Sequence, residues 1–261
     1  MRLAAIDIGS NAARLLITEA FVNHDAQVQF NKLNLVRVPL RLGIDVFEKG
    51  YITTERIDMF LHAMHAYKHL LSAYEITHFR AYATSAMRDA ANSKQIIDRV
   101  RRETGISIEI ISGDKEATMI NQNHIAENLD KSRNYLYIDV GGGSTELTFF
   151  ADGKMKYRES FNIGTIRLLK NQVSERAWEE MKDHLKQNTK SALPLAAIGS
   201  GGNINKIFSL SKKKEGKPLN LELLKDYYRE LSNFSLADRI EKYKLKEDRA
   251  DVIVPALSIY I

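Results

Sequence analysis

The sequence predicts an α/β chain assembled from two related halves. One strand–turn–strand segment occurs twice, as "IDIGSNAARLLI" at 6–17 and "IDVGGGSTELTF" at 138–149. Ile6 matches Ile138, Asp7 matches Asp139, Gly9 matches Gly141 and Leu15 matches Leu147, with an offset of 132 residues, about half of the 261. The stretches that follow each copy alternate between apolar period 2 and period 3.6, the mixture an α/β domain needs. A 44% apolar and 27% charged composition is that of an ordinary globular chain with enough length to bury a core.

In order along the chain, the first copy is a hairpin turning at Gly9–Asn11. Residues 53–75 carry an N-cap Thr53 and a stripe of Ile57, Phe60, Leu61, Met64, Tyr67 and Leu71, which predicts a helix. His62, His65 and His69 fall opposite that stripe, on a solvated face rather than around a metal. "HFRAYATSA" (78–86) reads as a strand leaving into a Thr-Ser loop, and "NSKQIIDRVRRETG" (92–105) as a helix closed by Gly105. "ISIEIISG" (106–113) alternates as a strand, and 114–129 follows as a helix. The polar "AENLDKSR" marks the boundary between a first domain, 1–125, and a second, 126–261, which opens with the second hairpin. Residues 177–190 and 219–234 read as helices, and "LAAIGSGGNINKIFSL" (195–210) as strand, Gly-rich turn and helix. The end, "DRADVIVPALSIYI", reads as an apolar helix kinked at Pro255; so apolar an end predicts that the native chain continues past Ile261.

The composition excludes several classes. There is no cysteine, so disulfides, thiolate metal sites and a cysteine nucleophile are ruled out. Asp7 comes too early for a signal peptide, and no apolar run approaches the ~20 residues of a membrane helix. The expectation is a cytoplasmic protein with no membrane partner. A net charge of +5 is compatible with polyanions. The dense run "SKKKEGK" (211–217) reads as a solvated loop.

The chemistry concentrates in the repeated hairpins. A turn that holds phosphate needs converging backbone N–H groups, and glycine permits the positive φ that aims them. Gly141, Gly142 and Gly143 qualify, with Ser144 and Thr145 as hydroxyl donors, and Gly9, Ser10 and Asn11 form the counterpart. Arg14 is placed to neutralise a phosphate chain, while Asp7, Asp139 and Glu146 are hard oxygen ligands suited to Mg2+. Either hairpin alone could be an ordinary turn; two of one plan favour the phosphate reading. Glu116, in the first turns of a helix after a glycine turn, could orient and deprotonate a water. Ser85 and Arg88 occupy a strand-to-helix junction suited to anions. "AIGSGGNINK" (197–206) could hold a base or a phosphate tail, but it is not a P-loop.

The ordered motifs "AAIDIGSNAARLLI", "RLG", "YATSAMRDAANS", "IEIISGDKEA", "IDVGGGSTEL", "GSGGNINK" and "RADVIVPAL" resemble the exopolyphosphatase / guanosine pentaphosphate phosphohydrolase family over nearly the whole chain. The resemblance implies an actin-like ATPase fold, two ribonuclease-H-like domains around a central cleft. It implies Mg2+-dependent hydrolysis of a terminal phosphoanhydride of inorganic polyphosphate or guanosine pentaphosphate. Glu116 then stands at the catalytic glutamate, Asp139 and Glu146 at the metal-side acids, Arg88 at the substrate arginine, and the turns 9–11 and 141–143 at the phosphate loops. The two turns are expected to face each other across the cleft. Lys115 departs from the glutamate and Ala12 from the serine common in the family. These departures keep open a weakly active sensor of guanosine tetra- or pentaphosphate; a sugar or acetate kinase lacks an acceptor motif here. Nucleic acid is not an expected partner; a homodimer is.

Overall fold

The computed structural model describes residues 1–23, 26–113, 115, 116, 118, 130, 132–190, 193–214 and 216–261. The chain divides into two compact units, Met1–Ser112 and Gly113–Ile261. The expected boundary at 125–126, and most of the helix expected over 114–129, lie outside the described residues.

The first unit holds one sheet of five strands: β1 (Arg2–Ile8), β2 (Ala13–Val22), β3 (Val28–Val38), β4 (His78–Ala83) and β5 (Ile108–Ile110), in the order β3-β2-β1-β4-β5. β1 pairs antiparallel with β2 and parallel with β4. Alternation along β1 and β2 puts Ala4, Ile6, Ile8, Ala13, Leu15 and Ile17 on one buried face. Helix Thr54–Ala73 buries Phe60, Leu61, Met64, Tyr67 and Leu71 of the stripe read from sequence, with Ile57 half-buried, and the Tyr67 hydroxyl donates to Val36 O of β3 at 3.2 Å. Burial first, then the charge of Asp7, pushes that hydroxyl up to about 12, so it remains a donor. Of the three histidines, His62 and His69 are exposed and His65 reaches Glu103 at 3.3 Å.

Among its described residues the second unit holds four strands, β6 (Asn134–Val140), β7 (Thr145–Ala151), β8 (Lys154–Phe161) and β9 (Leu195–Ser200), in the order β8-β7-β6-β9. The internal repeat is therefore structural. β6 pairs antiparallel with β7 and parallel with β9, as β1 does with β2 and β4. Even the irregularity recurs: the ladder slips between Ile17 and Thr18 on β2 and between Phe149 and Phe150 on β7, again 132 residues apart. Leu136, Leu147 and Phe149 pack with Ile163 and with Met181 of helix Glu175–Asn188. A second core joins Ile207, Leu231, Leu245, Ala250, Ile253 and Leu257 among the C-terminal helices.

Local geometry corrects three readings. Only Ile108–Ile110 of 106–113 form strand, because among the described residues the partner ladder runs opposite Ala81–Ala83 alone. Thr84 and Ser85 do not form a loop but start helix Ser85–Asp89 directly after β4. Near the C-terminus the break falls at Asp251–Val252, between helices Glu247–Ala250 and Ile253–Tyr260. Pro255 lies in the first turn of the latter, where a missing N–H forfeits no intrahelical bond, so it imposes no kink. Gly105 closes helix Ser93–Thr104 at φ 78°, donating to Arg101 O at 2.9 Å, as expected.

Thr53 caps helix Thr54–Ala73 by position, but its hydroxyl donates to Asp45 Oδ2 at 2.5 Å. Asp45, only 4% exposed, also accepts the Thr53 N–H at 3.0 Å and pairs with Arg56 at 3.0 Å. Burial works to raise its pKa, but these hydrogen bonds and the Arg56 charge outweigh it and bring the carboxyl below the ordinary 3.8. The stabilisation is thus present above the ordinary value and is lost as pH falls through the folded one. Asp45→Asn is expected to lower stability by about 2 kcal/mol at pH 7. In urea unfolding, the gap from wild type should narrow below about pH 4; a gap independent of pH would show that the charge of Asp45 contributes nothing.

Candidate active site

Both hairpins turn through four residues, and both turns are closed the same way: Gly9 N–H donates to Ala12 O at 3.1 Å, and Gly141 N–H to Ser144 O at 2.9 Å. The chain that follows the third strand of each unit then takes up the turn's carbonyls. In the first unit Gly43 N–H donates to Ser10 O at 2.8 Å and Arg41 N–H to Asn11 O at 2.9 Å. In the second, Thr165 N–H donates to Gly141 O at 3.0 Å, Ile166 N–H to Gly142 O at 2.8 Å and Arg167 Nε to Gly143 O at 2.7 Å. Among the described residues no peptide bond is cis, and a trans peptide sets its N–H opposite its C=O. Anchoring the carbonyls therefore turns the N–H groups of Asn11 and Ala12, and of Gly142, Gly143 and Ser144, away from the anchoring segment. Three successive N–H groups on one side of a turn form a cradle for an anion.

That geometry corrects the reason given for the glycines. None of Gly9, Gly141, Gly142 and Gly143 has positive φ. What the second turn needs is close approach. A Cβ at Gly164 would run into the backbone of Gly142 and Gly143, and one at Gly141 would lie 3.1 Å from Ser144 O. Arg41, Gly43, Gly164 and Arg167 were not among the residues singled out from sequence. The 132-residue offset does not extend to them, because β3 has eleven residues and β8 only eight.

The carboxylates sit at the strand ends that carry the turns. Asp139 on β6 stands directly opposite Glu146 on β7. Glu146 is 3% exposed and accepts the Ser160 hydroxyl at 2.9 Å. Gly201, at φ 102°, packs so closely that a Cβ there would lie 3.4 Å from Asp139 Oδ1, which brings the third Gly-rich turn against the acid pair. Two directly opposed carboxylates have Cβ atoms about 5 Å apart and repel unless a cation joins them. Hard oxygens in that arrangement fit Mg2+.

The other predicted residues divide clearly. Ser10 and Ser85 are both buried and their hydroxyls meet at 2.8 Å, so the first turn is tied to the start of helix Ser85–Asp89. Arg88, half-buried one turn later, donates to Ile111 O at 2.9 Å and lies 3.9 Å from Asp89. Arg14 pairs with Asp7 at 2.7 Å. Thr145 is fully buried and gives its hydroxyl to Ile163 O at 2.6 Å. It secures the turn from behind, so the expected donor function is already committed within the protein. Ser144 is buried within the turn itself. Glu116 is helical and half-buried, in the same unit as the second hairpin. Gly113 begins that helical turn, and a Cβ on it would collide with the Ser160 side chain, the residue that bonds Glu146.

Residues 21–261 match the Ppx/GppA phosphatase family. The chain belongs to that family. It is 34% identical over 234 residues to a "Bifunctional 3-dehydroquinate synthase/phosphatase" of Fusobacterium nucleatum, covering 81% of this chain and 34% of that one. It is 30% identical over 190 residues to a "Guanosine-5'-triphosphate,3'-diphosphate pyrophosphatase" of Vibrio vulnificus, covering 70% of this chain and 37% of that one. The chain thus spans about a third of the length of each of these relatives. The crystal structure of an exopolyphosphatase from Cytophaga hutchinsonii matches all of this chain and 89% of its own, with a TM-score of 0.79 at 24% identity. The fold of this Ppx/GppA chain is the actin-like ATPase fold.

Gly164→Ala tests the anchoring. The added methyl meets backbone rather than a flexible side chain, so the turn must move. Stability is expected to fall by about 1–3 kcal/mol and affinity for pyrophosphate by at least ~10-fold, or 1.4 kcal/mol. Calorimetric titration measures the second; unchanged affinity would detach the turn from anion binding.

Proposed function

We propose that this chain hydrolyses the terminal phosphoanhydride of a phosphate chain, inorganic polyphosphate or guanosine pentaphosphate, with Mg2+. The observation that carries the reading is the second hairpin, where a cradle of three N–H groups adjoins the opposed acids Asp139 and Glu146. Membership of a phosphatase family supports the reaction class. Each of the two units, Met1–Ser112 and Gly113–Ile261, carries one such turn.

In this reading the terminal phosphoryl group rests on the N–H groups of Gly142, Gly143 and Ser144. Their anchored carbonyls keep them oriented, so no reorganisation is needed as charge grows on the phosphoryl oxygens. Glu116 holds a water and takes its proton as the water oxygen bonds to phosphorus and the bridging P–O bond breaks. The products are inorganic phosphate and a chain shorter by one phosphate. Asp139 and Glu146 would hold Mg2+, which supplies neutralisation of phosphate charge when bound. In the first unit the N–H groups of Asn11 and Ala12, with Ser85 and Arg88, form a second set of phosphate-binding groups. Polyphosphate and guanosine pentaphosphate present the same terminal group, so this machinery serves either.

Glu116→Gln separates this enzyme from a protein that only senses its ligand. Turnover of polyphosphate and of guanosine pentaphosphate, read as phosphate release with Mg2+, is expected to fall at least ~100-fold while affinity holds. Near-wild-type turnover would remove Glu116 from the role of base. A wild-type chain that binds guanosine pentaphosphate without releasing phosphate would support the sensor instead.

A further inference from the structure

In the second unit one short side chain touches both the buried acid of the hairpin and the turn that carries Glu116. Ser160 of β8 stands directly opposite Glu146 of β7, and its hydroxyl donates to Glu146 Oε1 at 2.9 Å. The same side chain meets Gly113, since a Cβ on that glycine would collide with Ser160 Oγ and Ser160 Cβ. Glu116 follows Gly113 by three residues, within one helical turn. We propose that Ser160 is a positioning residue for Glu116: held by Glu146, it forms the fixed support on which the turn carrying Glu116 is seated. This deepens the reading above and rests on it for Glu116 as the base; it makes no use of a metal.

A serine side chain has three staggered rotamers. The bond to Glu146 selects one of them, and Glu146 is itself buried on a strand paired on both sides. In that rotamer Ser160 lies against the backbone of Gly113, so the place of the helical turn follows from the strand register of the sheet. Gly113 does not have positive φ, and a glycine inside a helix is costly in conformational entropy. What the position requires is the absence of a side chain, because any Cβ would drive the turn away from β8. Serine suits the other side of the contact: it is short enough to permit the approach and still carries a donor for Glu146. A general base must stand within hydrogen-bond reach of its water. A displacement of about 1 Å can cost ~100-fold in rate. Backbone seated on a short, bonded side chain leaves little play for such a displacement.

The test asks whether the effect of Ser160 depends on Glu116. Phosphate release from polyphosphate with Mg2+ is measured on the full chain for Ser160→Ala and Gly113→Ala, each made in wild type and in Glu116→Gln, with kcat and KM read separately. In wild type each change is expected to lower kcat at least ~10-fold while KM moves less than ~2-fold. In Glu116→Gln the same changes should alter the residual turnover less than ~2-fold, because displacing a base that has been removed costs nothing. A role confined to folding would act alike in both backgrounds. Unchanged kcat in Ser160→Ala, a loss confined to KM, or equal losses with and without Glu116 overturns the assignment. Should one of the two variants fail to fold, as read by urea unfolding, the other decides; Gly113→Ala removes no functional group. If Glu116→Gln turns over like wild type, the base is lost and the positioning role falls with it. If Glu116→Gln is impaired and Ser160→Ala is not, the positioning role alone falls.

Discussion

The site rests on the capture of turn carbonyls by the chain that returns from the third strand of each sheet. A hairpin turn left to itself could point its peptide dipoles either way. Once Gly43 and Arg41 hold Ser10 O and Asn11 O, and Thr165, Ile166 and Arg167 hold the carbonyls of Gly141–Gly143, planarity of the peptide sets every N–H on the opposite side. The anchoring also explains residues that touch no ligand. Gly164 is glycine because backbone lies against it, and Thr145 is buried because its hydroxyl holds Ile163 O on the same seam.

Around this seam the second unit adds a layer that secures the acids. Ser160 connects the helical turn starting at Gly113 to Glu146 through one side chain. Gly201 brings the strand-to-helix turn after β9 against Asp139, and the Tyr260 hydroxyl bonds Ser200 O beside it. Burial, and after it the charge of Asp139, raises the Tyr260 pKa, so that hydroxyl stays a donor to the turn. The helix Ile253–Tyr260 thus contributes to the geometry of Asp139 although none of its residues is acidic or glycine.

Duplication with divergence accounts for much of the arrangement. Two sheets share pairing, turn length and ladder irregularity, and so share the cradle. They differ in what surrounds it. The first unit ties its turn to Ser85 and balances Asp7 with Arg14, whereas the second buries Glu146 and opposes it to Asp139. The backbone carries the geometry on which the proposed anion binding rests, and side chains at matched positions distribute the charge.

The sequence by itself determined the repeat, the helix stripe of Phe60–Leu71, the glycine closure at Gly105 and the places of Asp7, Asp139 and Glu146, because these follow from local spacing and backbone preference. It read the glycines of the two turns as serving positive φ, which none of Gly9, Gly141, Gly142 and Gly143 has. Glycine is visible in a sequence, but whether it serves a positive φ or a close approach depends on what packs against it, and Gly164 lies more than twenty residues from Gly142. Only the tertiary structure decided that Thr145 faces inward, that Arg14 belongs to Asp7, and that Arg41, Gly43 and Arg167 aim the turns. Each of those outcomes depends on strand register or on a segment beyond the repeat, where distances along the chain carry no information about direction in space.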